Sequence, residues 1–229
     1  MDPKVIAVTC YTGSERLVQM TERLVKRLPC GVVAVGQGAD RQIATECCAR
    51  VNVDVNKGFA YGINTGIQWL WDNCEKVLPE NILVINNDIE PPEDRAWFDL
   101  LVSVCDGKRI ITPVTDRTWN KAAKASEAKN KNSFYASMVS AFCWLVPARI
   151  CRRLKRNYGF WMFDEDFGLG YGEDDYTAAI LRKKDPTPFK VVPRSWVRHL
   201  KAQTAKTVKI DRKRQFVILE NKIAKLKRS

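Results

Sequence analysis

Asn81-Ile82-Leu83-Val84-Ile85-Asn86-Asn87-Asp88 decides how this chain is read. Four consecutive apolar residues with no polar alternation make a strand covered on both faces. The strand stops on two amides and a carboxylate, and Pro91-Pro92 then end the sheet and fix the turn. Upstream, strands and helices alternate. Lys4 to Cys10 is a short apolar strand, and Ser14 caps a helix whose face is Leu17, Thr21, Leu24 and Leu28. Gly31 to Val35 is a second strand, ending in Gly36-Gln37-Gly38, and Arg50 to Val55 is a third. Ile63, Ile67, Leu70, Cys74 and Val77 recur at steps of four, three, four and three, which predicts an amphipathic helix. Such alternation predicts an α/β fold: a mainly parallel central sheet flanked by helices, with ligands at the carboxyl ends of its strands.

The second half is less regular. Arg109 to Pro113 and Ser140 to Val146 read as strands, a helix starts at Ala148, and Phe189 to Val192 is a last strand leading to Trp196 and His199. Asp116 to Ser133 is polar and Lys-rich with no apolar period, and reads as a mobile loop near the site. The tract Phe163-Asp164-Glu165-Asp166-Phe167-Gly168-Leu169-Gly170-Tyr171-Gly172-Glu173-Asp174-Asp175-Tyr176 crowds six carboxylates into a chain of net charge +12. Crowded carboxylates repel one another unless a cation, a proton or a polar substrate uses them. With its glycines and with Phe160, Trp161, Phe163 and Phe167, the tract reads as a substrate-facing turn before a helix from about Asp175 to Lys183. The alternative is an acid-rich helix N-terminus favoured by the helix dipole.

With 229 residues, 45% of them hydrophobic, the chain suits a single domain with a full core. The apolar run after Met1-Asp2-Pro3-Lys4 is too short for a signal peptide or membrane span, so a soluble cytoplasmic protein is expected. The eight cysteines include no CxxC pair and there is one histidine, which argues against structural zinc and for buried free thiols. From Lys206 onward nine Lys or Arg stand against Asp211 and Glu220. Phe216, Leu219, Ile223 and Leu226 recur there at helical steps, predicting an amphipathic helix docked by one stripe with a basic outer face. That face could meet an anionic polymer, DNA or a membrane surface.

Three features carry chemistry. Asp88 at a strand end can hold a divalent metal through oxygen, or simply close an Asx turn. Asn56 to Gly66 joins a strand to a helix, and its glycines and the helix N-terminus could face a diphosphate, though the segment is neither a Walker loop nor GxGxxG. His199 is either structural or a metal or phosphate ligand.

In this order these parts resemble the GT-A glycosyltransferases, most closely family-2-type enzymes. The resemblance covers about residues 4 to 205, and rests on Asn56 to Gly66, Ile82 to Pro92, Ser140 to Val146 and Phe163 to Arg182. It implies one GT-A (Rossmann-like) domain over 1–205, with a nucleotide-sugar half at 1–105, an acceptor half at 106–205 and the basic helix at 206–229. Asp88 matches the last acid of the DxD motif, with Asn86 in place of the first, and would bind the Mn²⁺ or Mg²⁺ that bridges the donor diphosphate. His199 would complete that metal site. Thr9, Tyr11, Asn56, Gly58, Asn64 and Asn87 fall where the family holds a UDP- or other nucleotide-diphosphate sugar. Asp174 matches the catalytic base, and Glu173, Trp161, Asp164 and Glu165 fall on the side of a glycan or other hydroxyl acceptor. After the second strand the family has D-N-x-S where this chain has Gly36-Gln37-Gly38-Ala39-Asp40, leaving Asp40 as the candidate for base recognition.

The implied reaction is metal-dependent, inverting transfer of a sugar to an acceptor hydroxyl. Sugar-nucleotide synthesis by the same fold needs a Gly- and basic-rich loop after the first strand, and Thr9 to Arg16 lacks it. A glycosyltransferase acting on DNA bases, and a metal-dependent nuclease or nucleic-acid-binding protein, are the rival readings that the basic tail permits.

Overall fold

The computed structural model describes residues 4–38, 42–116, 118, 123–128, 132–200 and 211–228. The chain opens with β1 (Val5–Thr12), α1 (Glu15–Arg27), β2 (Gly31–Gln37), β3 (Ala49–Val53), α2 (Phe59–Asn73), β4 (Asn81–Ile85), β5 (Ile89–Glu90) and α3 (Ala96–Ser103). It continues through β6 (Ile110–Thr115), α4 (Ala125–Ala128), β7 (Phe134–Ala136), β8 (Cys143–Pro147), α5 (Ala148–Tyr158), α6 (Glu173–Arg182), β9 (Phe189–His199) and α7 (Arg212–Arg228).

The strands form one sheet in the order β3-β2-β1-β4-β8-β6-β9-β5, with β7 also on β9. β3, β2, β1 and β4 are mutually parallel. β8 enters antiparallel between β4 and β6, and β6 runs parallel to β9. The C-terminal ends of β1, β4, β6 and β9 and the start of β8 therefore share one edge of the sheet. The site is built on that edge.

The apolar runs behave as covered strands. Ile82, Leu83, Val84 and Ile85 are all fully buried, as are Val33, Ala34 and Val35. Burying each large aliphatic side chain stabilises by ~1.5–3 kcal/mol, so the paired strands are a stiff base for the polar residues at their ends. Ser14 caps α1 as its position predicts, its side chain accepting from the Leu17 N–H, and Leu17, Thr21, Leu24 and Leu28 are buried.

Four local expectations are revised. Val77 lies beyond the end of α2 and is 62% exposed, because Glu75 and Lys76 take positive φ and turn the chain out of the helix. The segment after Asp116 is not wholly irregular: Ala123 is buried, Lys124 bridges Thr115, and α4 follows. The last helix of the acidic tract starts at Glu173, two residues earlier than expected, so the tract is at once a turn and an acidic helix N-terminus. On α7 the packed stripe is Ile218, Leu219, Ile223 and Leu226, while Phe216 is 60% exposed. All eight cysteines are free thiols; Cys10, Cys30, Cys143 and Cys151 are buried and Cys48 is exposed. No helix among the described residues is long and apolar enough to cross a membrane.

Candidate active site at the carboxyl edge of the sheet

Asp88 and His199 meet at this edge. Asp88 follows β4 and His199 ends β9, and pairing of Ile89 with His199 brings the carboxylate Oδ1 within 3.3 Å of the imidazole Nε2. The backbone locks the pair: Leu200 N–H donates to the Asp88 carbonyl at 2.9 Å, and His199 N–H to the Asp116 carboxylate at 3.2 Å. Phe142 stacks on the His199 ring at 6.1 Å, and its carbonyl accepts from Asn86 N–H at 3.0 Å.

Asp174 approaches the same corner from the first turn of α6. Its Oδ2 accepts from Ala141 N–H at 3.1 Å and its Oδ1 from Asp175 N–H at 2.9 Å. A carboxylate has about four lone-pair positions, so two fixed N–H donors orient it and still leave capacity to take a proton. Burial first, then the Asp175 charge, raises its carboxyl to about 6 against the pull of those N–H groups. Glu173 beside it is buried, and burial followed by the Asp174 charge pushes its carboxyl up to about 8. The two carboxyls titrate as a coupled pair, both pushed upward by burial. Glu173 also helps burial raise the Cys10 thiol to about 12, which places it against the end of β1.

Several polar atoms in these elements are buried without a hydrogen-bond partner: Thr9 Oγ1, Asn86 Oδ1 and Glu173 Oε2. An orphaned buried polar atom costs roughly 1–3 kcal/mol, so a group that supplies the missing bonds recovers that cost on binding. Asp88 and His199 form a hard oxygen and imidazole donor pair, with the side-chain amide oxygen of Asn86 in the same turn two residues before Asp88. Such donors could hold Mn²⁺ or Mg²⁺. Among the described residues no three His, Cys, Asp or Glu side chains close a metal cage by themselves.

Other candidates are turned to holding the frame. Tyr11 is buried, and its hydroxyl accepts from Ile43 N–H at 3.3 Å. Asn87 points towards α1, its amide donating to Thr21 Oγ1 at 3.5 Å. Asn56 closes an Asx turn on Gly58 N–H at 3.0 Å. Gly58 has φ 103°, and a side chain there would collide with the Gly168 carbonyl, so the N-terminus of α2 meets the acidic tract. Gln37, unselected by sequence reasoning, donates to the Gly58 carbonyl at 3.0 Å and accepts from Lys57 N–H at 3.2 Å. Asp40 lies outside the described residues.

Asn64 is the clearest reassignment. Its Oδ1 accepts from Met162 N–H at 2.9 Å and Phe163 N–H at 3.2 Å. Its Nδ2 donates to the Phe163 carbonyl at 2.7 Å and to Glu165 Oε1 at 2.8 Å. A buried amide with all four positions used has nothing left for a nucleotide; Asn64 fastens the acidic tract to α2.

The tract divides accordingly. Asp164 accepts from Asp166 N–H at 3.0 Å, and Lys222 of α7 reaches both Asp164 and Asp166 at 2.7 Å. Gln215 of α7 lies where any side chain at position 170 would stand. Trp161 is buried, with its indole N–H donating to Gln68 at 2.8 Å. Trp161, Asp164 and Glu165 thus do not converge on Asp174. Lys222 lies within the apolar stripe of α7, between Leu219 and Ile223, and is half-buried, whereas Lys225 between Ile223 and Leu226 is exposed. Tyr171, 45% exposed, has its phenol pKa raised by partial burial; Arg212 opposes that rise while Glu173 and Asp88 add to it. It stands within electrostatic reach of the tract, of α7 and of Asp88.

No protein-family model matches the sequence, and no curated protein does. Solved structures do match. The chain is similar to GalNAc-T7, crystallised with UDP, GalNAc and Mn²⁺, with TM-score 0.60 and 12% identity, over 86% of this chain and 43% of that one. It is similar to Staphylococcus aureus TarS 1-349 with TM-score 0.61 and 12% identity, over 86% of this chain and 60% of that one. The same TarS fragment in complex with UDP matches with TM-score 0.61 and 10% identity, over 96% of this chain and 64% of that one. At such identities the likeness is one of fold, and the fold is that of the GT-A glycosyltransferases. The chain spans between 43% and 64% of these proteins' lengths.

Proposed function

We propose that this protein transfers a sugar from a nucleotide-diphosphate sugar to an acceptor hydroxyl, with Asp174 as general base and inversion at the anomeric carbon. The observation that carries this reading is the meeting of Asp88–His199, the orphaned atoms of Asn86 and Glu173, and backbone-oriented Asp174 on one edge of a GT-A sheet. Asp88 and His199 would hold Mn²⁺ or Mg²⁺, which when bound offsets negative charge on the leaving diphosphate.

In the transfer, the acceptor oxygen forms a bond to the anomeric carbon as the bond from that carbon to the diphosphate oxygen breaks. The acceptor proton passes to Asp174, and the nucleoside diphosphate leaves with the electron pair. The N–H groups of Ala141 and Asp175 keep the carboxylate aimed, and its raised pKa makes it a better proton acceptor near neutrality than an exposed Asp. Glu173 stands beside it with its own carboxyl pushed up by burial, which lessens the like charge next to Asp174.

A panel of UDP-, GDP-, ADP- and dTDP-sugars, each with Mn²⁺ or Mg²⁺, tests this by thermal shift and nucleoside-diphosphate release. Stabilisation by at least one metal–donor pair, lost in Asp88→Ala, is the expected result; stabilisation by none refutes the reading. DNA belongs in the acceptor panel beside glycans because α7 turns Lys213, Arg214, Lys225 and Lys227 outward.

A further inference from the structure

Away from the Asp88–His199 edge, α2, the end of α5 and the first part of the acidic tract enclose a cleft of about 200 Å³. Its walls are Thr65 and Gln68 on α2, Lys155 and Gly159 at the end of α5, and Phe160, Trp161 and Glu165. We propose that this cleft is a saccharide subsite that takes one hexose-sized ring of the acceptor at a distance from the transfer point. The proposal rests on the sugar-transfer reading and gives its acceptor a chemical class: a glycan longer than the residue being modified.

The cleft falls below the ~300–1,000 Å³ of sites that enclose drug-sized ligands, so it has room for one small ring. Its polar groups are oriented before any ligand arrives. Gln68 is fixed between the Trp161 indole N–H at 2.8 Å and Asp72 Oδ2 at 2.9 Å. Glu165 Oε1 is held by Asn64 at 2.8 Å, which leaves Oε2 to accept. Lys155 Nζ donates to the Gly159 carbonyl at 3.2 Å and stands 5.5 Å over the Trp161 ring, with two further N–H groups to give. Groups already immobilised lose little entropy on binding. Lys155 and Glu165 balance in charge, which disfavours a phosphate or a polyanion. Half-buried Phe160 adds apolar surface for the C–H face of a sugar ring. Closely spaced donors and acceptors beside aromatic carbon suit a neutral polyhydroxyl ligand. The cleft also explains why Trp161 and Glu165 stand apart from Asp174.

The test is an amide and indole nitrogen–proton NMR titration of the full chain with glucose, galactose, N-acetylglucosamine, N-acetylgalactosamine and their linear oligomers. At least one sugar should move the Trp161 indole and Gly159 amide signals while leaving His199 unmoved. Thr65→Arg, which fills the cleft, should weaken that sugar by at least about tenfold. Lys155→Ala should weaken it less. UDP with Mn²⁺ should move His199 equally in wild type and Thr65→Arg. Silence at Trp161 with every sugar overturns the subsite, as does a response that persists in Thr65→Arg or one matched by glycine as a zwitterionic control. Failure of UDP, GDP, ADP and dTDP with Mn²⁺ to move His199 would instead count against the sugar-transfer reading, and leaves the sugar result to be judged by itself.

Discussion

The turn after β4 and the tract from Phe163 to Phe167 look alike as strings: short, polar, acidic, bounded by apolar residues. They are opposite in how their polar groups are used. After β4, Asn86 keeps a buried side-chain amide oxygen without a partner and Asp88 faces His199. In the tract, Asp164 and Asp166 are bound by Lys222 and Glu165 by Asn64. Past Gly172, in the first turn of α6, Glu173 keeps an orphaned oxygen, and burial raises the carboxyls of both Glu173 and Asp174. Acidic density alone therefore does not mark the candidate site. Most tract carboxylate oxygens are tied to a lysine or an amide, with Glu165 Oε2 left to accept, whereas Asn86 and Glu173 each keep a buried side-chain oxygen without a partner. Such an atom recovers its desolvation cost when a ligand supplies the missing bond.

The sharpest way to break this contrast is to remove the proposed proton acceptor. Asp174→Asn should cost ~10²–10⁴-fold in transfer rate, or ~3–5 kcal/mol of barrier, with little change in donor binding by calorimetry. In the wild type, rate should climb with pH through about 6 as Asp174 ionises. A near wild-type rate in the variant would remove Asp174 from the mechanism.

On the structural side, Asn64→Ala strands the Met162 and Phe163 N–H groups and the Phe163 carbonyl. A loss of about 2–4 kcal/mol in urea unfolding is expected. Unchanged stability combined with lost nucleotide binding would return Asn64 to the donor site.

Lys222→Met should cost less, about 1–2 kcal/mol, because Asp166 is largely exposed and Asp164 retains its bond from the Asp166 N–H. Faster hydrogen exchange over 163–172, with a smaller rise over 173–182 where Lys222 stands over the Tyr176 ring at 5.5 Å, would show that α7 braces chiefly the first part of the tract.

The smallest effect is one of slope. Glu173 carries a folded-state pKa of about 8 against 4.5 unfolded, so its contribution to stability is complete below 4.5 and is lost as pH rises through about 8. Glu173→Gln should have a melting temperature that gains on the wild type by a few degrees between pH 5 and pH 8.5. Parallel pH profiles for the two proteins would mean that Glu173 is ionised throughout.

Much of the frame was legible. β1, α1, β2, α2 and β4 follow from apolar period and from the Ser14 cap, since local spacing dictates which face is covered. Val77 and Phe216 were misplaced for a complementary reason: period extends a face, but it does not say where a positive-φ turn ends the helix or which side of α7 finds the body. The partnership of Asp88 with His199 was readable only through the GT-A resemblance, as the two stand 111 positions apart in the chain.

The sequence by itself determined the alternation of elements, the apolar strand that ends on Asp88 and the acidic start of α6. Each of these is a property of neighbouring residues, which propensity, period and capping control locally. The tertiary structure decided which polar side chains stay available. Asn64 is consumed by the backbone at 162 and 163, Asp164 by a lysine from the last helix, and Tyr11 by the amide of Ile43. Hydrogen-bond saturation depends on partners brought from distant parts of the chain, and only the folded sheet brings them together.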